Sequence, residues 1–188
     1  DYHHVHPEAA GLDGQYFFDF TPALAGSYKV FTEIVPLRSR RQAIALSELE
    51  VPGRSGTPKF ERSTVSLIGG IRFELLTVPE VLETGRDYRL QLIMTDAEGN
   101  AIDLETVMGA KGHMVAFDSV GMGFAHMHPV GSVASVRTAG LSSGGGFDSG
   151  DQDLAFMFNV PNPGWYRLFA QIQVKGKAVF GRFDLRVE

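Results

Sequence analysis

Asp87-Tyr88-Arg89-Leu90-Gln91-Leu92-Ile93-Met94-Thr95 carries the clearest structural signal in the chain. Tyr88, Leu90, Leu92 and Met94 recur at every second position, so an extended backbone turns all four to one side. That is the pattern of a strand with one face on a core. Working outward, Asp96 to Asn100 contains Glu-Gly-Asn, which predicts a hairpin turn. Ile71 to Leu76 reads as an opening strand, and Val81 to Gly85 as a turn. Beyond Gly109-Ala110-Lys111-Gly112, His113 to Phe117 and Phe124 to His128 read as two strands joined by a glycine-rich turn. Leu154 to Val160, Trp165 to Val174 and Ala178 to Val187 read as three more. Long helical periodicity is absent, and short strands at regular spacing predict an all-β, immunoglobulin-like β-sandwich.

The N-terminal third repeats part of this plan. Phe18-Asp19-Phe20, Gly26 and Tyr28-Lys29-Val30-Phe31 match Phe156-Met157-Phe158, Gly164 and Tyr166-Arg167-Leu168-Phe169 at one constant offset. His4-Val5-His6-Pro7 precedes the first copy, and His126-Met127-His128-Pro129 precedes the second. The first copy starts in its middle and has no counterpart of His113. Its Gln42 to Val51 segment reads as a strand, although Ala-Ile-Ala-Leu also suits a short helix. Residues 52–70, rich in Pro, Gly, Ser and Thr, read as a linker. The expected organisation is a partial β-sandwich module at 1–51, a linker at 52–70 and a complete sandwich at 71–188. A half-sandwich leaves bare sheet edges and an uncovered apolar face. The missing strands are expected from removed chain, from another subunit of a homo-oligomer or a partner chain, or from residues 52–70 folding back.

All six histidines lie in three places: 3, 4 and 6; 113; and 126 and 128. Residues i and i+2 of a strand share a face, so His126 and His128 present two imidazoles side by side. His113, from the adjoining strand, adds a third. Three imidazoles with a fourth position open suit copper or zinc, and the affinity order of divalent metals favours copper. His4 and His6 form a second candidate pair, while His3 faces away from them. Met114 and Met127 alternate away from the histidines and read as core. Met122, in its glycine turn, is the candidate soft ligand.

Bulk composition narrows the alternatives. The chain has 188 residues, a net charge of −5 and 44% hydrophobic residues. It can bury a core, but it lacks the clustered Lys and Arg of a nucleic-acid surface. The cluster Arg38-Ser39-Arg40-Arg41 reads as a solvated loop. No apolar run approaches the roughly 18 residues of a membrane span. The chain begins at Asp1 rather than Met, the start expected of a mature, processed or truncated product. With no cysteine, thiolate catalysis, cysteine-based zinc sites and iron–sulfur clusters are excluded. Gly144-Gly145-Gly146 lacks the lysine of a phosphate loop. Asp148, Asp151 and Asp153 do not keep calcium-loop register, and residues 130–153 read as a long surface loop. Glu33 and Gln171 read as structural.

Gly109 to Val115 with its Gly112-His113-Met114-Val115, then Phe124 to Pro129 with its His126-x-His128-Pro129, then Pro161 to Gln173 with its Pro161-x-Pro163-Gly164-x-Tyr166-Arg167-Leu168-Phe169-x-Gln171, resembles the YtkA-like group of bacterial exported, immunoglobulin-like β-domains. The resemblance covers residues 71–188 well and 1–51 in part. It implies a periplasmic or extracellular sandwich with a histidine-based metal site and a role in copper or heavy-metal handling. The expected function is therefore a non-enzymatic, extracytoplasmic metal-binding protein, copper first and zinc second, for sequestration or delivery. The competing expectation is a structural module that assembles through its incomplete first half.

Overall fold

The computed structural model describes residues 2–11, 14–106, 109–130 and 153–188. Most of the predicted 130–153 loop, with Asp148 and Asp151, lies outside them. The protein is all-β, and no helix occurs among the described residues. The chain divides into two compact units, residues 1–59 and 60–188.

The first unit holds β1 (Glu8–Ala9), β2 (Tyr16–Phe17), β3 (Gly26–Ile34) and β4 (Ala43–Val51). β1 pairs with β2, and β3 with β4, both antiparallel. The segment that also suited a short helix is the strand β4, because nine consecutive register pairs with β3 fix it as extended.

The second unit holds β5 (Val65–Ile68), β6 (Ile71–Leu76), β7 (Tyr88–Thr95), β8 (His113–Asp118), β9 (Phe124–Met127), β10 (Leu154–Phe158), β11 (Gly164–Val174) and β12 (Lys177–Val187). Two four-stranded sheets form, in the orders β10-β7-β6-β5 and β12-β11-β8-β9. The chain changes sheet between β7 and β8, between β9 and β10 and between β10 and β11, the immunoglobulin-like arrangement of two packed antiparallel layers. Phe73, Leu75, Leu90, Leu92, Phe156 and Phe158 of one layer meet Met114, Leu168, Ile172, Phe183 and Leu185 of the other in a single buried core. Tyr88, Leu90, Leu92 and Met94 are all buried, as the alternation of β7 requires.

The boundary differs from the sequence expectation. Residues 60–70, read as part of a linker, belong to the second unit. Gly69 and Gly70, at φ 60° and 80°, form the two-residue turn of the β5–β6 hairpin, a conformation that favours glycine at both positions. The glycine pair that looked like linker is a hairpin signal. Residues 52–59 fall in the first unit.

The internal repeat is visible in the backbone. Gly26 pairs with Val51 as Gly164 pairs with Val187, and Tyr28 with Leu49 as Tyr166 with Leu185. The Tyr28 hydroxyl donates to the Leu24 carbonyl at 2.8 Å, and the Tyr166 hydroxyl to the Asn162 carbonyl at 2.8 Å. This tyrosine corner is a hallmark of immunoglobulin-like sandwiches. Each tyrosine packs on the matching phenylalanine, Phe20 at 5.8 Å and Phe158 at 5.9 Å between ring centroids. The covering differs: Ile172 and Leu185 are 0% and 2% exposed, whereas their counterparts Ile34 and Leu49 are 51% and 43% exposed.

Candidate metal centre

β8 and β9 build the site. Their register pairs Met114 with Met127, Val115 with His126 and Phe117 with Phe124. Carried one pair further, it sets His113 across from His128. Directly opposed residues of antiparallel strands share a face. Met114 and Met127 are buried in the core, so His113, His126 and His128 stand together on the face turned away from it. The alternation anticipated from sequence is what separates thioethers from imidazoles.

The three rings converge. Their ligand nitrogens lie within 4.8 Å of one another. Ring centroids are 4.8 Å apart for His126–His128, 4.9 Å for His113–His128 and 5.5 Å for His113–His126. His126 Nε2 is 3.4 Å from His113 Nδ1. Exposure rises across the cluster: His113 is only 3% exposed, His126 is half-buried and His128 is exposed. The site is deep at one end and open at the other. Beyond His128, Pro129 bridges Phe156, and the Val130 amide donates to the Ala155 carbonyl at 2.8 Å. Those contacts hold the end of the His-x-His-Pro segment against β10.

The surroundings are apolar on one flank. Phe124 stacks 6.3 Å from His126, and Phe117 lies 5.5 Å from Phe124 and 6.3 Å from Phe169. An apolar shell controls solvent access and local dielectric at a metal site. Gln171 pairs in register with His113 on β11.

Residues 66–188 match a family described as a domain of unknown function, DUF8832. The chain belongs to that family. The DUF8832 match begins inside β5 and takes in the whole His113/His126/His128 cluster, while His4 and His6 lie outside it. No curated protein matches the sequence.

Two further sequence expectations can be placed. Met122, the proposed soft ligand, sits 65% exposed in the β8–β9 turn. That turn lies beyond the Phe117–Phe124 pair, about 13 Å of strand from the His113–His128 end. Met122 is therefore not a ligand of this cluster, and neither Met114 nor Met127 faces it. His4 and His6 do stand together, at 5.1 Å between ring centroids, while His3 turns onto Phe20 at 5.0 Å. The string Gly140-Leu141-Ser142-Ser143-Gly144 spells the nucleophile-elbow pattern, which requires a strand-to-helix turn. It lies outside the described residues.

Gly112, immediately before His113, is a positioning residue that sequence reading does not single out. A Cβ there would stand 2.7 Å from Leu154 Cδ1 and 2.9 Å from the Gln171 carbonyl oxygen. The leucine tip can yield, but the β11 backbone cannot do so cheaply. Gly112→Ala is expected to destabilise the second unit by about 1–3 kcal/mol and to displace His113. Chemical denaturation checks the first effect and metal titration the second. Wild-type values in both would show that the start of β8 is not constrained.

Proposed function

We propose that this protein is a non-enzymatic metal-binding protein that acts outside the cytoplasm in sequestration or delivery, with copper the first candidate and zinc the second. The observation that carries the reading is the convergence of three imidazoles from adjacent strands, with nitrogens within 4.8 Å of one another and an open end at His128. Three nitrogen donors with a free position suit Zn²⁺ or Cu²⁺. Met114 and Met127 point into the core and Met122 lies at the far end of the hairpin, so none of these three joins the imidazoles. The resemblance of residues 71–188 to YtkA-like exported domains supports both the metal class and the compartment.

The test is elemental analysis of protein purified without chelator, compared with His126→Ala/His128→Ala. Copper or zinc that falls by about one equivalent in the double variant is the expected result. No metal, even after copper is added and the excess removed, would overturn the reading. Assembly through the first unit is the competing reading, favoured by the exposure of Ile34 and Leu49 on its core-type face. It predicts concentration-dependent oligomers that survive the same double substitution.

A further inference from the structure

The first unit repeats the His-x-His-Pro segment without the strand that supplies His113. Its register shows what stands beside that segment instead. In the second unit Pro129 bridges Phe156, which places His128 across from Met157. In the first unit Glu8 pairs with Phe17 and Ala9 with Tyr16. Carried back, that register sets Pro7 across from Phe18, matching Pro129 and Phe156, and sets His6 across from Asp19. The repeat thus exchanges a methionine for a carboxylate at one specific cross-strand position.

Directly opposed positions share a face, with Cβ atoms about 4.5–5.5 Å apart. Consistently, His6 and Asp19 line one open groove of about 370 Å³, together with Glu8 and Phe17. The ring spacing of His4 and His6, 5.1 Å, is close to the 4.8 Å of His126 and His128. The first unit therefore reproduces the plan of two imidazoles at i and i+2 plus one donor across from the second. The donor comes from the opposite flank and is an oxygen.

We infer that His4, His6 and Asp19 form a second metal site, with Glu8 as a flanking acid. Among the described residues, only His113, His126 and His128 already have three ligand atoms within 4.8 Å. Closing the first-unit site takes side-chain rotation, and His6 and Asp19 are both exposed. Two imidazoles and a hard carboxylate select a divalent ion such as Zn²⁺ and disfavour Cu(I). Glu8 adds negative charge beside the ion. The two sites share no residue, so this one does not depend on the three-histidine reading.

Calorimetric titration of the full chain with ZnCl₂ tests it, with far-UV circular dichroism as the folding check. The His126→Ala/His128→Ala protein is expected to bind one equivalent of zinc. In that background Asp19→Asn, which is isosteric and on the surface, is expected to weaken binding at least about tenfold, the low end of the loss seen on removing even an outer-shell partner. His4→Ala/His6→Ala in the same background is expected to abolish it. Absence of zinc binding in the His126/His128 variant would overturn the inference, as would full-strength binding after Asp19→Asn. Failure of the three-histidine site looks different. The wild type would then bind a single equivalent, unaffected by the His126/His128 changes and lost with His4 and His6.

Discussion

Replacing Arg167 with alanine is expected to destabilise the second unit by about 3–5 kcal/mol, the usual cost of leaving one member of a buried ion pair alone. Arg167 Nε and Nη2 donate to Asp184 Oδ1 and Oδ2 at 2.7 and 2.8 Å, a bidentate pair across β11 and β12. Asp184 is 2% exposed. The guanidinium also lies over the Phe60 ring at 4.4 Å, and the Ser63 amide donates to the Asp184 carbonyl. The pair therefore helps fix residues 60–63 to the sandwich. Arg182 Nη2, 3.6 Å from Asp184 and itself exposed, offsets only part of the loss.

The pH dependence follows from Asp184. Burial pushes its carboxyl upward, but the hydrogen bonds and charge of Arg167 outweigh that and hold it below its ordinary value of 3.8. A depressed folded pKa contributes stability that is present above the unfolded value and is lost as pH falls through the folded one. Without Arg167, burial dominates and the carboxyl takes up a proton in mild acid. The stability gap between wild type and Arg167→Ala should therefore narrow from pH 7 toward about pH 4. Trp165, the chain's single tryptophan, lies in β11 and reports unfolding of this unit by fluorescence in urea. A gap below about 1 kcal/mol at pH 7, the range of exposed pairs, would show that the pair is effectively at the surface.

What the sequence disclosed, and what it hid, follows from the range of each signal. Alternation is local, so Tyr88 to Met94 and the inward turn of Met114 and Met127 were legible without coordinates. The two His-x-His-Pro segments were legible because period two fixes a shared face. Features that depend on which strands neighbour one another were not. Arg167 and Asp184 are far apart in sequence, and nothing in either stretch announces the pairing. Met122 looked close to the histidines because it is only four residues from His126, yet hairpin geometry sends it to the far end. Asp19 stood unremarked between two aromatics until the register put it across from His6. The linker assignment failed for a related reason. Gly69-Gly70 has linker composition, and only its flanking pairs, Ile68 with Ile71 and Leu67 with Arg72, make it a turn.

The buried end of the histidine cluster gives the other large effect. Metal held by His113, His126 and His128 binds the folded unit in preference to the unfolded one, so it adds to the free energy of unfolding. With free zinc at about a thousand times its dissociation constant, the gain is about 4 kcal/mol. His113→Leu separates ligation from packing, because leucine keeps most of the buried volume at a position that is 3% exposed. The metal-free variant is expected to lose about 1–3 kcal/mol, the cost of leaving a buried polar partner unsatisfied. It should gain nothing from zinc at the second unit. Urea unfolding followed at Trp165, with and without ZnCl₂, gives both numbers from one protein. A variant that keeps the full zinc increment would remove His113 from the ligand set. One that loses several kcal/mol without metal would make His113 a structural core histidine. For wild type the increment should shrink as pH falls, because metal binding needs deprotonated ligands and releases protons.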